Sequence, residues 1–176
     1  MNLPILVSLL FAASIASSAL SLQSKQTNGE VSPKDVKAIV IIGRLKDFGT
    51  RNWRPSVYVD EIELARSQNG RFLVAEVDPG TRTIRAEDPK FALHMALKAG
   101  ECYYFRVEIA SGAFKAHGRI VGLSREEGAS ELKQLTPIEA SHVTDSSRVL
   151  GAEQAASVAT GCAAAPASTT LPSAKP

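Results

Sequence analysis

Three histidines, His94, His117 and His142, are the side chains in this sequence best suited to catalysis. A Ser–His–acid hydrolase needs a serine held by a histidine, which a carboxylate in turn orients. His142 has Ser141 and Asp145 nearby in the chain, but no Gly-x-Ser-x-Gly elbow accompanies them. We therefore favour surface roles for all three histidines, and we keep a hydrolase site involving His117 or His142 as the alternative function.

Carboxylates and cysteines offer two further kinds of chemistry. Asp60, Glu61 and Glu63 could serve acid–base catalysis or bind calcium, but their alternation along a strand and turn favours a solvated hairpin. Cys102 and Cys162 lie far apart, and with three distant histidines they make no zinc spacing. No phosphate-binding Gly-Lys-Ser/Thr motif occurs. The sequence thus predicts no cofactor, no metal site and no identifiable catalytic residue.

Aromatic and basic residues make the best candidate binding surface. They are Trp53, Arg54, Tyr58, Tyr104 and Arg106. Tyr, Trp and Arg are enriched at binding hot spots, and the last three point away from the predicted core. The alternative is that this face covers a second sheet or a helix, or forms cross-strand pairs that stabilise the sheet.

Short segments of alternating hydrophobicity must position these residues. The predicted strands cover residues 37–45, 56–60, 61–65, 71–77, 82–86, 91–98, 103–109 and 113–123. The first is apolar on both faces, as in a central strand. Asn69-Gly70 and Asp78-Pro79-Gly80 supply turn chemistry between strands. Turns at this spacing are typical of an antiparallel sandwich or barrel.

The fold class that follows is all-β, an antiparallel β-sandwich of about seven strands, like transthyretin or an immunoglobulin domain. Stacking two sheets covers the apolar face of each. Ser124 precedes Glu127 at capping-box spacing, which predicts one short C-terminal helix that Pro137 ends. The predicted domain organisation is a signal peptide over 1–19, a linker over 20–35, the sandwich over 36–136 and a tail over 137–176.

The first nineteen residues are typical of a secretory leader, because a short apolar run is followed by small residues. We therefore expect an exported protein, periplasmic or extracellular in a bacterium. Membrane association is expected only if the leader is retained. The net charge of +2 argues against a nucleic-acid partner.

The predicted tail is rich in Ala, Ser, Thr and Pro, with little apolar bulk to offset its ordering entropy. We expect it to be disordered, with no more than a transient helical turn or two near residues 152–158. Cys162 lies in this tail, and in an oxidising compartment it could form a disulfide with Cys102. Two unpaired thiols are the equal alternative, because the sequence does not give their separation.

The order of the turns and strands resembles a known family. The motifs that carry the resemblance are RP at 54–55, VYVD at 57–60, NGRF at 69–72, VDPGTRTI at 77–84, YYFRV at 103–107 and EL at 131–132. They are similar to an uncharacterised bacterial family of exported proteins and lipoproteins, known only as a domain of unknown function. The pattern is also similar in style to PEGA-type β modules of bacterial envelopes.

The resemblance implies a fold and a compartment, but no reaction. Glu61 stands where this pattern usually has glycine, which predicts a looser or longer first hairpin turn. No lipobox cysteine follows the leader, so lipid anchoring is not implied. The function predicted is an exported, non-catalytic module that binds or scaffolds an envelope protein or glycan, through its aromatic face or an exposed strand edge.

Overall fold

The computed structural model describes residues 36–110 and 117–165, which form two sheets and two α-helices. Sheet A is built from β1 Ala38–Arg44, β4 Arg71–Val77, β7 Cys102–Ala110, β8 His117–Leu123 and β9 Thr136–Pro137. Sheet B is built from β2 Ser56–Val59, β3 Ile62–Arg66, β5 Gly80–Arg85 and β6 Leu93–Leu97. The spatial orders are β8-β7-β1-β4-β9 and β3-β2-β5-β6. The predicted all-β class is confirmed, with nine strands in the described residues.

The two sheets share one apolar core. Sheet A contributes side chains such as Val40 and Phe105, and sheet B contributes Val57, Leu64 and Ile84, all at most 2 % exposed. Alternate residues of each strand point inward, so the period-two pattern of the sequence identifies the residues that fill this layer. A sandwich-like arrangement follows.

Strand direction in sheet A differs from the prediction of an entirely antiparallel sheet. β1 pairs with β4 antiparallel, but it pairs with β7 in parallel. The short β9 also runs parallel to β4. All of sheet B lies between β1 and β7 in the chain order, so β7 returns beside β1 by a long connection. Side-chain alternation shows which face is buried but not which strand is the neighbour.

Two helices cover the outer face of sheet A. The first, α1, spans Arg125–Leu132 and begins at the predicted capping box: Ser124 Oγ accepts from the Glu127 amide at 3.2 Å, and Glu127 Oε2 accepts from the Ser124 amide at 2.9 Å. The second, α2, spans Ala152–Ala164. A second apolar cluster lies between these helices and the sheet. It contains Ile41, Phe72, Val74, Tyr104, Leu123, Leu135, Ala155, Ala159 and Cys162.

The prediction of disorder from residue 137 onward is wrong for residues 137–165. The backbone of this segment bonds to strands of both sheets: Ile138 N donates to Phe72 O, Thr144 N to Leu64 O and Leu150 N to Val74 O, at 2.8–2.9 Å. Main-chain hydrogen bonds and small buried side chains thus supply order that composition does not reveal. Residues 166–176 lie outside the described residues, as do the predicted leader (1–19) and linker (20–35).

Cys102 and Cys162 form a disulfide with a Cα–Cα distance of 5.9 Å. Of the two alternatives left open by the sequence, the structure has the bridge, which ties α2 to β7. Neither helix of the described part has the length and hydropathy needed to span a bilayer.

Candidate functional site

The loop of residues 45–55 leads from β1 in sheet A to β2 in sheet B, and a buried arginine holds it. Arg44, the last residue of β1, is only 2 % exposed. Its Nη2 donates to Thr50 O at 2.7 Å and to Thr50 Oγ1 at 3.2 Å, and its Nη1 donates to the carbonyl oxygen of Trp53. One guanidinium therefore fixes two separate points of the loop.

Asp47 closes the first turn of the loop. Its Oδ2 accepts from Thr50 Oγ1 and its Oδ1 from the Gly49 amide, both at 2.8 Å. The Asp47 amide donates in turn to Asn69 Oδ1 at 2.8 Å. The hydrogen bonds from Thr50 and Gly49 lower the pKa of the Asp47 carboxyl. Burial lowers the pKa of the Arg44 guanidinium, and the charge of Asp47 opposes that effect.

The result is a fixed loop with an aromatic side chain in solvent. Phe48 is 91 % exposed, the largest value among the exposed large apolar residues of the described chain. Lys46, Arg51 and Arg54 of the same loop are also exposed. An apolar ring with cations along the same loop can enter an apolar pocket that has an acidic rim.

Sequence reasoning did not select Phe48 or Arg44. Phe48 is a lone aromatic residue in a polar stretch, with no alternating apolar partner to assign it to a core. Arg44 continues the inward register of Val40 and Ile42, so its place is that of a buried residue at a strand end. These two signals mark the loop in the sequence, but they do not give the exposure of Phe48.

The five residues predicted to form a binding surface do not come together. Trp53 and Arg54 lie in the 45–55 loop, Tyr58 lies on β2 of sheet B, and Tyr104 and Arg106 lie on β7 of sheet A. The Trp53 indole nitrogen is buried and has no hydrogen-bond acceptor among the described residues. The single surface was predicted by assuming that these strands are neighbours, and they belong to different sheets.

Tyr104 is not at the surface. It is 3 % exposed because α1 packs on it, and a Cβ added to Gly128 would lie 2.4 Å from its ring. Burial raises the pKa of the Tyr104 phenol, and the Arg125 guanidinium partly opposes this. The alternative weighed from the sequence, in which this face is covered by a helix, describes the position of Tyr104.

Arg106 belongs to an ion cluster on the same face. Its Nη1 contacts Glu131 Oε1 at 2.5 Å and its Nη2 contacts Glu108 Oε1 at 2.6 Å. Arg119 Nη2 contacts the other Glu108 oxygen at 2.6 Å. Burial raises the pKa of the Glu108 carboxyl, but hydrogen bonds from Arg119 and Arg106 outweigh it and leave that pKa below its usual value. This cluster joins β7, β8 and α1, which is a structural role.

Tyr58 and the acidic residues next to it form the first hairpin turn of sheet B. The turn is tight, since Val59 pairs directly with Ile62, and the expectation of a looser or longer turn is wrong. Asp60 and Glu61 both have positive φ, 49° and 65°, as a two-residue hairpin of the primed type requires. Arg85 holds Glu61 in this conformation, with Nη2 2.6 Å from Oε2, and stacks 3.9 Å above the Tyr58 ring.

The histidines do not converge on a catalytic arrangement in the described residues. His94 Nδ1 lies 3.0 Å from Thr83 Oγ1 on the outer face of sheet B. His117 Nδ1 lies 3.5 Å from Asp88 Oδ2 at a strand end. His142 ends a short 3-10 turn, and the nearby Asp145 accepts from Ser147 Oγ rather than orienting a histidine.

The clefts of sheet A are small, and the described residues contain no cluster of metal ligands. Two clefts beside Gly43 have volumes of about 10 Å³ each, room for roughly one water molecule. No group of three or more His, Cys, Asp or Glu in the described residues could hold a metal ion.

The fold and the loop define a class: a two-sheet β module, covered by helices on one side, that presents a fixed loop to solvent. Residues 34–119 match the model of a family described as "Protein of unknown function (DUF2846)". The match supports the resemblance to an uncharacterised family, and it includes the 45–55 loop. It ends before both helices and before Cys162.

Searches of curated proteins and of solved structures gave no match. The likeness to transthyretin and immunoglobulin domains therefore stays a prediction from the sequence.

Proposed function

We propose that this protein is an exported, non-catalytic β-sandwich module that binds a protein of the bacterial cell envelope through its 45–55 loop. The observation that carries this proposal is the almost complete exposure of Phe48 on a loop that a buried arginine holds in place. The PEGA-like style of the motifs is part of the proposal, because such modules belong to bacterial envelopes.

The loop suits recognition because it is already ordered. Binding by a flexible loop costs free energy to order it, and a fixed loop avoids much of that cost. Phe48 provides an apolar anchor, and Lys46, Arg51 and Arg54 are cations suited to an acidic rim. The partner we propose is therefore a protein with an apolar pocket surrounded by carboxylates. A glycan is the second class of partner to consider.

Export is supported by two features that are independent of the loop. The first residues of the chain are typical of a cleaved leader. The disulfide between Cys102 and Cys162 belongs to a class of bond that persists mainly in oxidising compartments. Mass spectrometry of the protein from fractionated cells tests this: we expect a mature chain lacking the leader, with both cysteines oxidised.

Site-specific photo-crosslinking in intact cells tests the role of the loop. A photoreactive phenylalanine analogue at position 48 should form a defined adduct with an envelope protein. The same analogue at Ile62, which is 41 % exposed on sheet B, is the matched control and should not. Equal adducts from both positions would contradict the proposal, and an adduct with polysaccharide would replace a protein partner by a glycan.

Measuring the affinity of variants for the captured partner then distinguishes a loss of recognition from a loss of folding. Phe48→Ala should raise the dissociation constant at least about tenfold if the ring is a hot spot. It should leave thermal stability within the range of a neutral surface change, because the ring buries almost nothing in the free chain. Ile62→Ala, the control, should leave the dissociation constant unchanged.

A further inference from the structure

The edges of the two sheets are protected unequally. Residues 136–150 cover one side of the sandwich: β9 pairs with β4, and Val143 forms a bridge with Ala65 of β3. The amides of Thr144 and Asp145 donate to Leu64 O at 2.9 and 3.1 Å. The edge of β3 is thus occupied by the segment that was expected to be disordered.

On the other side, the edge strands are β8 and β6. β8 carries Arg119, which is held by Glu108 across the strand pair, and charge on an edge strand opposes further pairing. β6 has the sequence Leu-His-Met-Ala-Leu, with no Lys, Arg, Asp, Glu or Pro. Its pairing with β5 is regular over the whole strand, and no strand among the described residues pairs with its outer side.

Apolar side chains accompany this open edge. Leu93 and Met95 face the core between the sheets but are only half-buried, and Phe91 just before the strand is 43 % exposed. Alternate backbone N–H and C=O groups of an edge strand point outward and lack a partner. A regular edge strand without Lys, Arg, Asp, Glu or Pro is the kind of template that accepts another strand.

We infer that β6 pairs antiparallel with β6 of a second copy of this chain, about a two-fold axis at Met95. In this register Leu93 faces the partner's Leu97, and His94 faces the partner's Ala96. No like charges oppose each other within the strand, and the same contacts form on both sides, as a two-fold interface requires. Sheet B would then continue through both copies, and Phe91 and Met95 would lose exposure.

Two double variants at exposed positions test the register. His94→Lys with Ala96→Lys puts lysine opposite lysine twice, whereas His94→Lys with Ala96→Glu puts lysine opposite glutamate. Both lose the same contact of His94 with Thr83, so they are matched for that loss. Sedimentation equilibrium of the full mature chain should show a dimer for the wild type and the Lys/Glu variant. For the Lys/Lys variant the dissociation constant should rise at least about tenfold, because symmetry creates two like-charge pairs.

Hydrogen exchange of the wild type gives a second measurement that needs no substitution. The amides of β6 should exchange faster on dilution, while those of β8 should not change with concentration. A monomer at every concentration, a dimer unaffected by Lys/Lys, or failure of Lys/Glu to restore pairing would each overturn the inference. Protection of β6 that does not depend on concentration would also overturn it. All of these readouts are independent of the 45–55 loop and of Phe48.

Discussion

The outer faces of the two sheets differ in how they meet solvent. On sheet A, the outward side chains of the central strands are apolar, among them Ile41, Val74 and Tyr104, and two helices bury them. On sheet B, the outward side chains of the central strands are polar, and they pair with each other or with the edge strand: Arg85 stacks on Tyr58 and Thr83 contacts His94. The apolar face needed a cover, whereas the polar face did not.

The apolar outer face of sheet A explains why the last part of the chain is ordered. Residues 152–164 are mostly alanine and small polar residues, yet Ala155, Ala159 and Cys162 fall on one side of a helix and are at most 5 % exposed. Small side chains let the helix lie close to the sheet. The helix is ordered because sheet A offers an apolar face and a disulfide partner.

Removing the disulfide should produce the largest change. The bridge closes a separation of 60 residues, for which the chain-entropy model gives a stabilisation of about 4 kcal/mol. In Cys102→Ala with Cys162→Ala, urea unfolding should show a loss of this order. Hydrogen exchange should accelerate most for the amides of α2. The amides of β5 in sheet B should accelerate only as far as the loss in the global free energy of unfolding requires. Unchanged protection of the α2 amides would show that packing alone holds α2 against sheet A.

Parts of this arrangement could be predicted from the sequence, whereas the order of α2 could not. The two apolar faces of β1 correctly predicted a central strand buried on both sides, and the Ser124–Glu127 spacing predicted the start of α1. Composition could not predict α2, because its order depends on the face of sheet A and on Cys102, which is remote in the chain. Tyr104 was placed on the correct face of β7, but alternation does not say what covers that face.

The candidate site was less accessible from sequence than the fold. The patch of five aromatic and basic residues required strands to be neighbours, and pairing partners are not encoded in local periodicity. Phe48 has no periodic context, and its importance follows from its exposure on a loop held by Arg44. Exposure is a property of the folded chain, so it could not be read from residue types alone.

Substitutions at two glycines should change the stability by an intermediate amount, and they test how tightly the helices pack on sheet A. Gly128 in α1 lies against Tyr104, where an added Cβ would come within 2.4 Å of the ring, whereas Gly161 in α2 has nothing within 4 Å. Gly128→Ala should lower the free energy of unfolding by about 1–3 kcal/mol through overpacking. Gly161→Ala should raise it by up to about 1 kcal/mol, because alanine favours the helix.

Urea midpoints of the two variants, measured side by side, check these opposite signs. The penalty at Gly128 should shrink in a Tyr104→Ala background, which removes Cγ and Cδ1, the two ring atoms that the added Cβ would approach most closely. A Gly128→Ala variant as stable as the wild type would mean that α1 shifts easily, and that the cover of sheet A is looser than its packing indicates.

The smallest effect expected is a difference in pH dependence between the two faces. The pKa of Glu108 on sheet A and that of Glu61 on sheet B both lie below their usual values in the folded chain. Each ionised carboxylate therefore stabilises the fold above its unfolded pKa of about 4.3, and this stabilisation is lost as the pH falls through the lower folded pKa. The Glu108 side chain is 26 % exposed and bound by two arginines, whereas that of Glu61 is 71 % exposed.

Solvent screens the exposed pair more strongly, so the change should be larger at Glu108. Urea unfolding at pH 7 and pH 3 should show that Glu108→Gln removes more of the pH dependence of the unfolding free energy than Glu61→Gln does. High salt should weaken the contribution of Glu61 before that of Glu108. An equal or greater change at Glu61 would contradict this difference, because the stronger electrostatic stabilisation would then lie on the exposed sheet B and not on the sheet that the helices cover.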